Sequence, residues 1–423
     1  MDYQPPAGGP AARPEDVTSP PPPPIRPVWR RALPDDDATR ALFLGMAAAA
    51  LTAGLSIAAS QFFLAVTVAA YLYHYFYGDP PRYHLPPPWR PVLVFMLLTT
   101  LAVLWSPDLA VSLKATKKFF LFLVMFFVFN AFRSYAQVDL LYRGLFATAA
   151  VASLVGILQF PSSTPEHRIT GTLGHWMTFS GIELIFFTAL LAYLLYGGRR
   201  AFWALPIFLL TGGALLLSLT RSAWIGALCA AGTVLALKRP RRLVLLPLAA
   251  LALLFLSPHR ILERAKTLLT LEDQAITVRF NMIRTGLEII KQHPLLGVGP
   301  NRISRVAYAY GGDRSVAPAY YVHLHNNVLQ IAAERGIPCL LAWLWLIARL
   351  FRDYFRMARR TPFTDPRSYP LVVAIAALVG ILVAGLFEYN FGDSEVMMLL
   401  LFVLTAPYVV DREVMGGGLR VAG

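Results

Sequence analysis

The chain has 423 residues, of which 57% are hydrophobic and only 15% charged, with a mean hydropathy of +0.55. That balance excludes a water-soluble globular domain of this size and points to an all-α, polytopic integral membrane protein. A net charge of +14 and a pI near 9.9 would suit nucleic acid, but the cations sit in short clusters between apolar runs, as topology signals do.

Residues 1–40 open the chain as a Pro-rich tail, with Pro20 to Pro24 in one run, and predict disorder on the cytoplasmic side. No apolar core with a small-residue cleavage site follows them directly, so they do not read as a signal peptide. Twelve membrane-crossing helices are then expected, near 41–58, 61–77, 91–105, 117–132, 139–159, 177–196, 202–219, 222–237, 243–257, 326–349, 371–389 and 394–410. Each approaches the roughly 20 residues that cross a hydrocarbon core of ~30 Å. Breaks such as Gly78-Asp79-Pro80-Pro81, Gly197-Gly198-Arg199-Arg200 and Lys238-Arg239-Pro240-Arg241-Arg242 separate them. Cys229 and Cys339 both fall in apolar runs and imply small core residues, not a disulfide framework.

Lys and Arg concentrate in alternate connections: Arg26 to Arg40, Arg82 and Arg90, Arg133 and Arg143, Arg199 and Arg200, 238–242, and Arg349 to Arg367. This places both termini in the cytoplasm, with residues 411–423 as a short cytoplasmic tail. The chain then divides into helices 1–9 over 41–257, a large periplasmic loop over 258–325, and helices 10–12 over 326–410. The loop is a polar island of helical character with nine Lys/Arg between Ser257 and His325. Arg168 and Arg221 lie on the cation-poor side in short connections, where an arginine is least expected.

Four segments on that side carry the candidate chemistry: Arg168 to His175, Leu219 to Gly226, Thr277-Val278-Arg279 through Gly297-Val298-Gly299-Pro300, and His325-Asn326-Asn327 through Gly336. On a helix, Arg279 and Arg284 diverge by about 140°. Arg284 faces Glu288 one turn on, an ordinary helix pair, whereas Arg279 has no carboxylate three or four residues away. Arg279 is therefore the expected phosphate ligand of the two. His323 and His325, two apart, would diverge on a helix, and no third ligand stands at useful spacing. No metal site is expected. His175 and Asn326 form a second rank of candidates, with Tyr321, whose ring could stack on a sugar. Glu388, Asp393 and Glu395 lie near the last outer turn with no spacing argument for a role.

Three of these pieces, in order, resemble the O-antigen ligase and polymerase superfamily of bacterial membrane glycosyltransferases. They are the Arg221-Ser222-Ala223-x-x-Gly226 turn, the Arg279 helix leading into His293-Pro294-Leu295-Leu296-Gly297-Val298-Gly299-Pro300, and His325-Asn326 followed by Gly336. The resemblance implies a ligase that moves a glycan from an undecaprenyl-pyrophosphate donor to an acceptor hydroxyl such as lipid A-core. It places the step at the outer face of the bacterial inner membrane, inverting and without metal or cofactor. A polymerase and a protein O-oligosaccharyltransferase are alternative readings, and a transporter of lipid-linked sugars is the rival class. The residue types suit the chemistry: arginines bind phosphate through a planar, permanently charged fork, and a neutral imidazole accepts a hydroxyl proton near pH 7. His325 is the expected base, and Arg221, Arg279 and Arg168 the expected pyrophosphate ligands.

Overall fold

The computed structural model describes residues 33–34, 36–78, 83–164, 167–244, 246–247, 274–316 and 318–421. Most of the expected ninth span, most of the Pro-rich tail and the first part of the polar island lie outside these residues. Among the described residues the fold is helical throughout, with no strand. The helices are α1 Asp37–Ala53, α2 Ile57–Tyr77, α3 Trp89–Leu104, α4 Leu109–Leu113, α5 Leu123–Ala131, α6 Tyr135–Gln159 and α7 Trp176–Tyr196. They continue as α8 Leu205–Leu217, α9 Arg221–Lys238, α10 Gln274–Gln292, α11 Ile303–Val306, α12 Asn327–Arg360, α13 Tyr369–Ala384 and α14 Ser394–Val421.

A helix occupies each expected span that falls on described residues. By length and composition six are able to cross a membrane: Ile57–Tyr77, Tyr135–Ser162, Trp176–Tyr196, Asn327–Arg360, Pro366–Ala384 and Ser394–Gly416. Trp89–Leu104 and Ala201–Leu217 are apolar but shorter. The fourth expected span is not one α-helix: residues Lys114–Phe122 form a 3₁₀ segment that runs into α5.

Helices α7, α13 and α14 form the buried centre of the bundle. Between apolar helices in lipid, packing rather than water exclusion drives association, so small residues mark the contacts. Gly226 and Ala230 on α9 meet Gly380 and Ala384 on α13, where a Cβ on Gly226 would lie 2.6 Å from the Gly380 carbonyl. The crossing fixes α9 against α13 and sets the height of Arg221 at the α9 start.

Helix α12 is broken at Gly336, whose φ of 83° and ψ of 166° are open only to glycine. Two carbonyls lose their helical donors there. Pro338 has no N–H to offer Glu334, and Ile337 N–H turns away to the Pro294 carbonyl at 2.8 Å. The 294–300 strap supplies the replacements: Val298 N–H donates to Ala333 O and Gly299 N–H to Glu334 O, both at 3.0 Å. Gly297 and Gly299, at φ of 64° and 95°, permit this approach, since a Cβ on Gly297 would strike the Ala333–Arg335 backbone. The strap is held underneath as well, by Asn301 N–H to Glu334 Oε1 at 2.7 Å and Ser112 Oγ to Pro300 O at 2.9 Å.

The Pro-Leu-Leu-Gly-Val-Gly-Pro motif thus works as a splint, docking α10 against the start of α12. A Cβ on Gly336 would collide with the Leu295 backbone. Gly336→Ala is therefore expected to destabilise the fold by about 2–4 kcal/mol, read as a lowered thermal midpoint in detergent. An unshifted midpoint would remove the splint from the account.

Candidate active site: a histidine and glutamate cluster at the helix ends

The first turn of α12 locks onto the turn between α13 and α14. Asn326 is the N-cap, its Oδ1 accepting from Leu329 N at 3.0 Å while Nδ2 donates to Leu386 O at 3.0 Å. Asn327 donates its N–H to Gly385 O at 2.7 Å and its Nδ2 to Asn390 Oδ1 at 2.7 Å, and its Oδ1 accepts from Phe391 N at 3.1 Å. Thr178 at the head of α7 donates to Asp393 Oδ2 at 2.6 Å, and Lys118 donates to the Gly392 carbonyl. The 385–393 turn is therefore the hub on which three separate elements converge.

His325 lies just before this cap in the left-handed region, at φ 48°, a conformation uncommon outside glycine. It turns the ring toward Glu388, with Nδ1 2.9 Å from Glu388 Oε2. His323 Nε2 lies 3.5 Å from Glu388 Oε1, and the two imidazoles meet edge to face at 4.3 Å. Because residues 323–325 are not helical, the expected divergence of the two histidines does not occur, and the missing third group is Glu388. The two rings and the carboxylate bring their ligand atoms within 4.8 Å of one another.

Glu388 is buried, and burial pushes its pKa up, but the hydrogen bond and charge of His325, with His323 and the Tyr389 N–H, hold it below the ordinary range. An ionised carboxylate only accepts, so His325 Nδ1 carries the hydrogen, and in the neutral ring Nε2 keeps the lone pair. For His323, burial outweighs the attraction of Glu388 and brings the pKa down to about 4.

The arginines sit around the same end of the bundle. Arg221 is the first residue of α9 and buried. From the Gly226–Gly380 crossing of antiparallel helices, stepping back to Arg221 and forward to Gly385 covers the same number of residues, so Arg221 reaches the level of the hub. Arg168 donates to Leu219 O at 3.4 Å, just before Arg221, and its guanidinium lies 5.6 Å from the Trp176 ring. On α10, Arg279 shares the stripe of Met282, Gly286 and Ile289, which packs on Leu324 and the first turns of α12. Arg279 is half-buried while Arg284 is exposed. Glu288 accepts a hydrogen bond from Gln292 at 2.6 Å rather than serving as the expected partner of Arg284.

The second-rank residues have local duties. His175 caps α7, its Nδ1 accepting from Met177 N at 3.3 Å, and stacks on Trp176 at 4.4 Å. Asn326 spends both side-chain atoms on the cap described above. Tyr321 is fully buried, its hydroxyl accepting from Asp313 N at 2.8 Å, so its ring is not presented to a sugar.

These features define a multi-pass helical membrane protein with an imidazole–carboxylate pair and several arginines at one end of its bundle. Residues 206–344 match the family model described as O-antigen ligase. That segment, under half of the chain, is similar to the O-antigen ligase superfamily, and the similarity suggests an enzyme of glycosyl-transfer type. The matched stretch holds Arg221, Arg279 and His325, while Arg168 and Glu388 lie outside it. No curated protein matches the chain.

Proposed function

We propose that the protein transfers a glycan from an undecaprenyl-pyrophosphate donor to an acceptor hydroxyl, ligase-fashion, at the periplasmic face of the bacterial inner membrane. The observation that carries this reading is the 2.9 Å contact of His325 Nδ1 with buried Glu388, at the edge of a segment of this family. His325 Nε2 takes the proton of the acceptor hydroxyl as its oxygen attacks the anomeric carbon from the side opposite the leaving group. The bond from that carbon to the pyrophosphate oxygen breaks, the electron pair leaves with the pyrophosphate, and the configuration inverts. Arg221, Arg279 and Arg168 bind the leaving group and stabilise its growing charge, so no metal is required. Glu388 acts as a positioning residue that fixes the His325 tautomer and stabilises the imidazolium. In this reading the twelve-helix topology has both termini cytoplasmic and the 258–325 island outside.

Arg221→Lys and Arg279→Lys keep the charge but lose the two-pronged fork. Each is expected to weaken donor binding by about 10–100-fold, the equivalent of one or two charge-assisted hydrogen bonds. Undiminished binding of a labelled donor in both variants would reassign them to structural roles. The reaction itself is tested by reconstitution with a defined undecaprenyl-pyrophosphate glycan and three acceptors offered separately: lipid A-core, a second lipid-linked glycan, and a protein. Sugar on the first supports the ligase reading, on the second a polymerase, and on the third a protein glycosyltransferase. Transfer to none overturns the proposal.

A further inference from the structure

We infer that His323, His325 and Glu388 form an inhibitory site for a transition-metal dication, Zn²⁺ above all, and that the ion switches the site off by capturing Nδ1 of His325. The binding half of this inference stands alone; the inhibitory half rests on His325 acting as the base.

The geometry comes first. His323 Nε2 and His325 Nδ1 lie 3.5 and 2.9 Å from the two Glu388 oxygens, and all three ligand groups fall within 4.8 Å of one another. Ligands on a tetrahedral zinc, with bonds of about 2.0–2.2 Å, sit roughly 3.3–3.5 Å apart. Small ring movements therefore bring the set to coordinating distance. Two imidazoles and one carboxylate are a borderline-soft set that favours Zn²⁺ or Co²⁺ over Mg²⁺ or Ca²⁺, which prefer oxygen ligands. Three protein ligands leave a fourth position for water. Glu388 is held by the Tyr389 N–H at 3.1 Å and His325 by the capped start of α12, so two of the ligands are already placed.

The consequence for His325 is chemical. A metal on Nδ1 takes the lone pair there, and the ring hydrogen moves through water from Nδ1 to Nε2. Nε2 then holds the hydrogen and has no lone pair for an acceptor hydroxyl. No net proton or electron is exchanged.

His323 sets the strength of the site. Its Nδ1 is buried and has no hydrogen-bond partner among the described residues, so binding through Nε2 leaves an N–H there without an acceptor among them. Absence of such an outer partner typically weakens a metal site by about 10–100-fold. That describes a reversible inhibitor site rather than one with a resident ion.

The test uses full-length protein in nanodiscs titrated with Co²⁺, followed by the visible absorption of a low-symmetry, near-tetrahedral Co²⁺ centre. The expected result is one Co²⁺ per chain, displaced by Zn²⁺ and unaffected by Mg²⁺. His323→Ala and the bulkier His323→Gln should each weaken binding at least ~10-fold, with Arg284→Ala, an exposed position on α10, retaining it. Two histidine variants guard against one failing to fold, and monodisperse elution is required of both. No Co²⁺ spectrum in the wild type, or a spectrum unchanged in a folded His323 variant, overturns the site.

Binding needs no substrate, so this result is independent of whether glycan transfer is the activity. In the transfer assay, Zn²⁺ is expected to inhibit and EDTA to restore the original rate, with EDTA alone having no effect. The half-inhibiting Zn²⁺ concentration, each variant measured against its own uninhibited rate, should rise at least ~10-fold in His323→Gln. An unchanged half-inhibiting concentration overturns the capture of His325.

Discussion

His325→Ala is expected to lower the rate of glycan transfer by about 10²–10⁴-fold, the usual contribution of a general base, with donor binding retained. The acceptor hydroxyl is a poor nucleophile until its proton begins to leave, and Nε2 of His325 is the atom that the Glu388 contact leaves with a lone pair. In the proposed reaction the donor's charge is met by arginines on other elements, α9, α10 and the 167–175 segment, so removing one imidazole would leave those contacts in place. His325→Gln separates chemistry from architecture. Its amide can donate a hydrogen bond to Glu388 and preserve the turn, yet it accepts no proton at neutral pH. Both variants should therefore fail in single-turnover transfer while holding labelled donor normally. Full transfer in either would remove His325 from the chemistry, and loss of donor binding in both would make it a scaffold residue.

Much of the fold was legible because hydropathy reports directly on lipid exposure. Helices fall at the expected spans wherever residues are described. Helical angle separates Arg279 from Arg284, and the carboxylate of Glu288 one turn from Arg284 is the reason for preferring Arg279; in the structure Arg279 is half-buried and Arg284 exposed. What the sequence hid were features made by contacts between distant segments. Glu388 lies far along the chain from His325, and bonds between the start of α12 and the 385–393 turn, among them Asn327–Gly385, Asn326–Leu386 and Asn327–Asn390, bring the two together. A helix through His323 and His325 would part the two rings, but the helix begins only at Asn327.

The 293–300 motif was visible as a resemblance, but its mechanical role was not. Nothing local indicates that its N–H groups satisfy carbonyls freed at the Gly336–Pro338 break of another helix. Tyr321 shows the opposite error. A tyrosine next to a membrane face invites a sugar-stacking reading, and the ring proves to be core.

Glu388→Gln tests whether the carboxylate serves His325 through its charge or merely through its shape. Glutamine keeps the size and one carbonyl acceptor, so the Nδ1–H contact and the turn can survive. What is lost is the negative charge that, in the proposed reaction, faces the imidazolium formed when His325 takes the acceptor proton. Buried beneath the two rings, that charge is poorly screened, and its stabilising effect is realised in the transition state rather than on substrate binding. The amide can also turn its NH₂ toward His325 and select the tautomer with hydrogen on Nε2. In the serine-protease triad, losing the corresponding carboxylate lowers kcat by about 10⁴ for this reason. A fall of about 10²–10⁴-fold in kcat with KM nearly constant is the expected outcome here. A purely structural role would lower thermal stability and donor binding along with the rate. The decisive comparison is the double variant. If Glu388 acts only through His325, His325→Ala combined with Glu388→Gln is no slower than His325→Ala alone. Fully additive losses would show that the carboxylate contributes to transfer by a separate route, and the pair would then not be a functional unit.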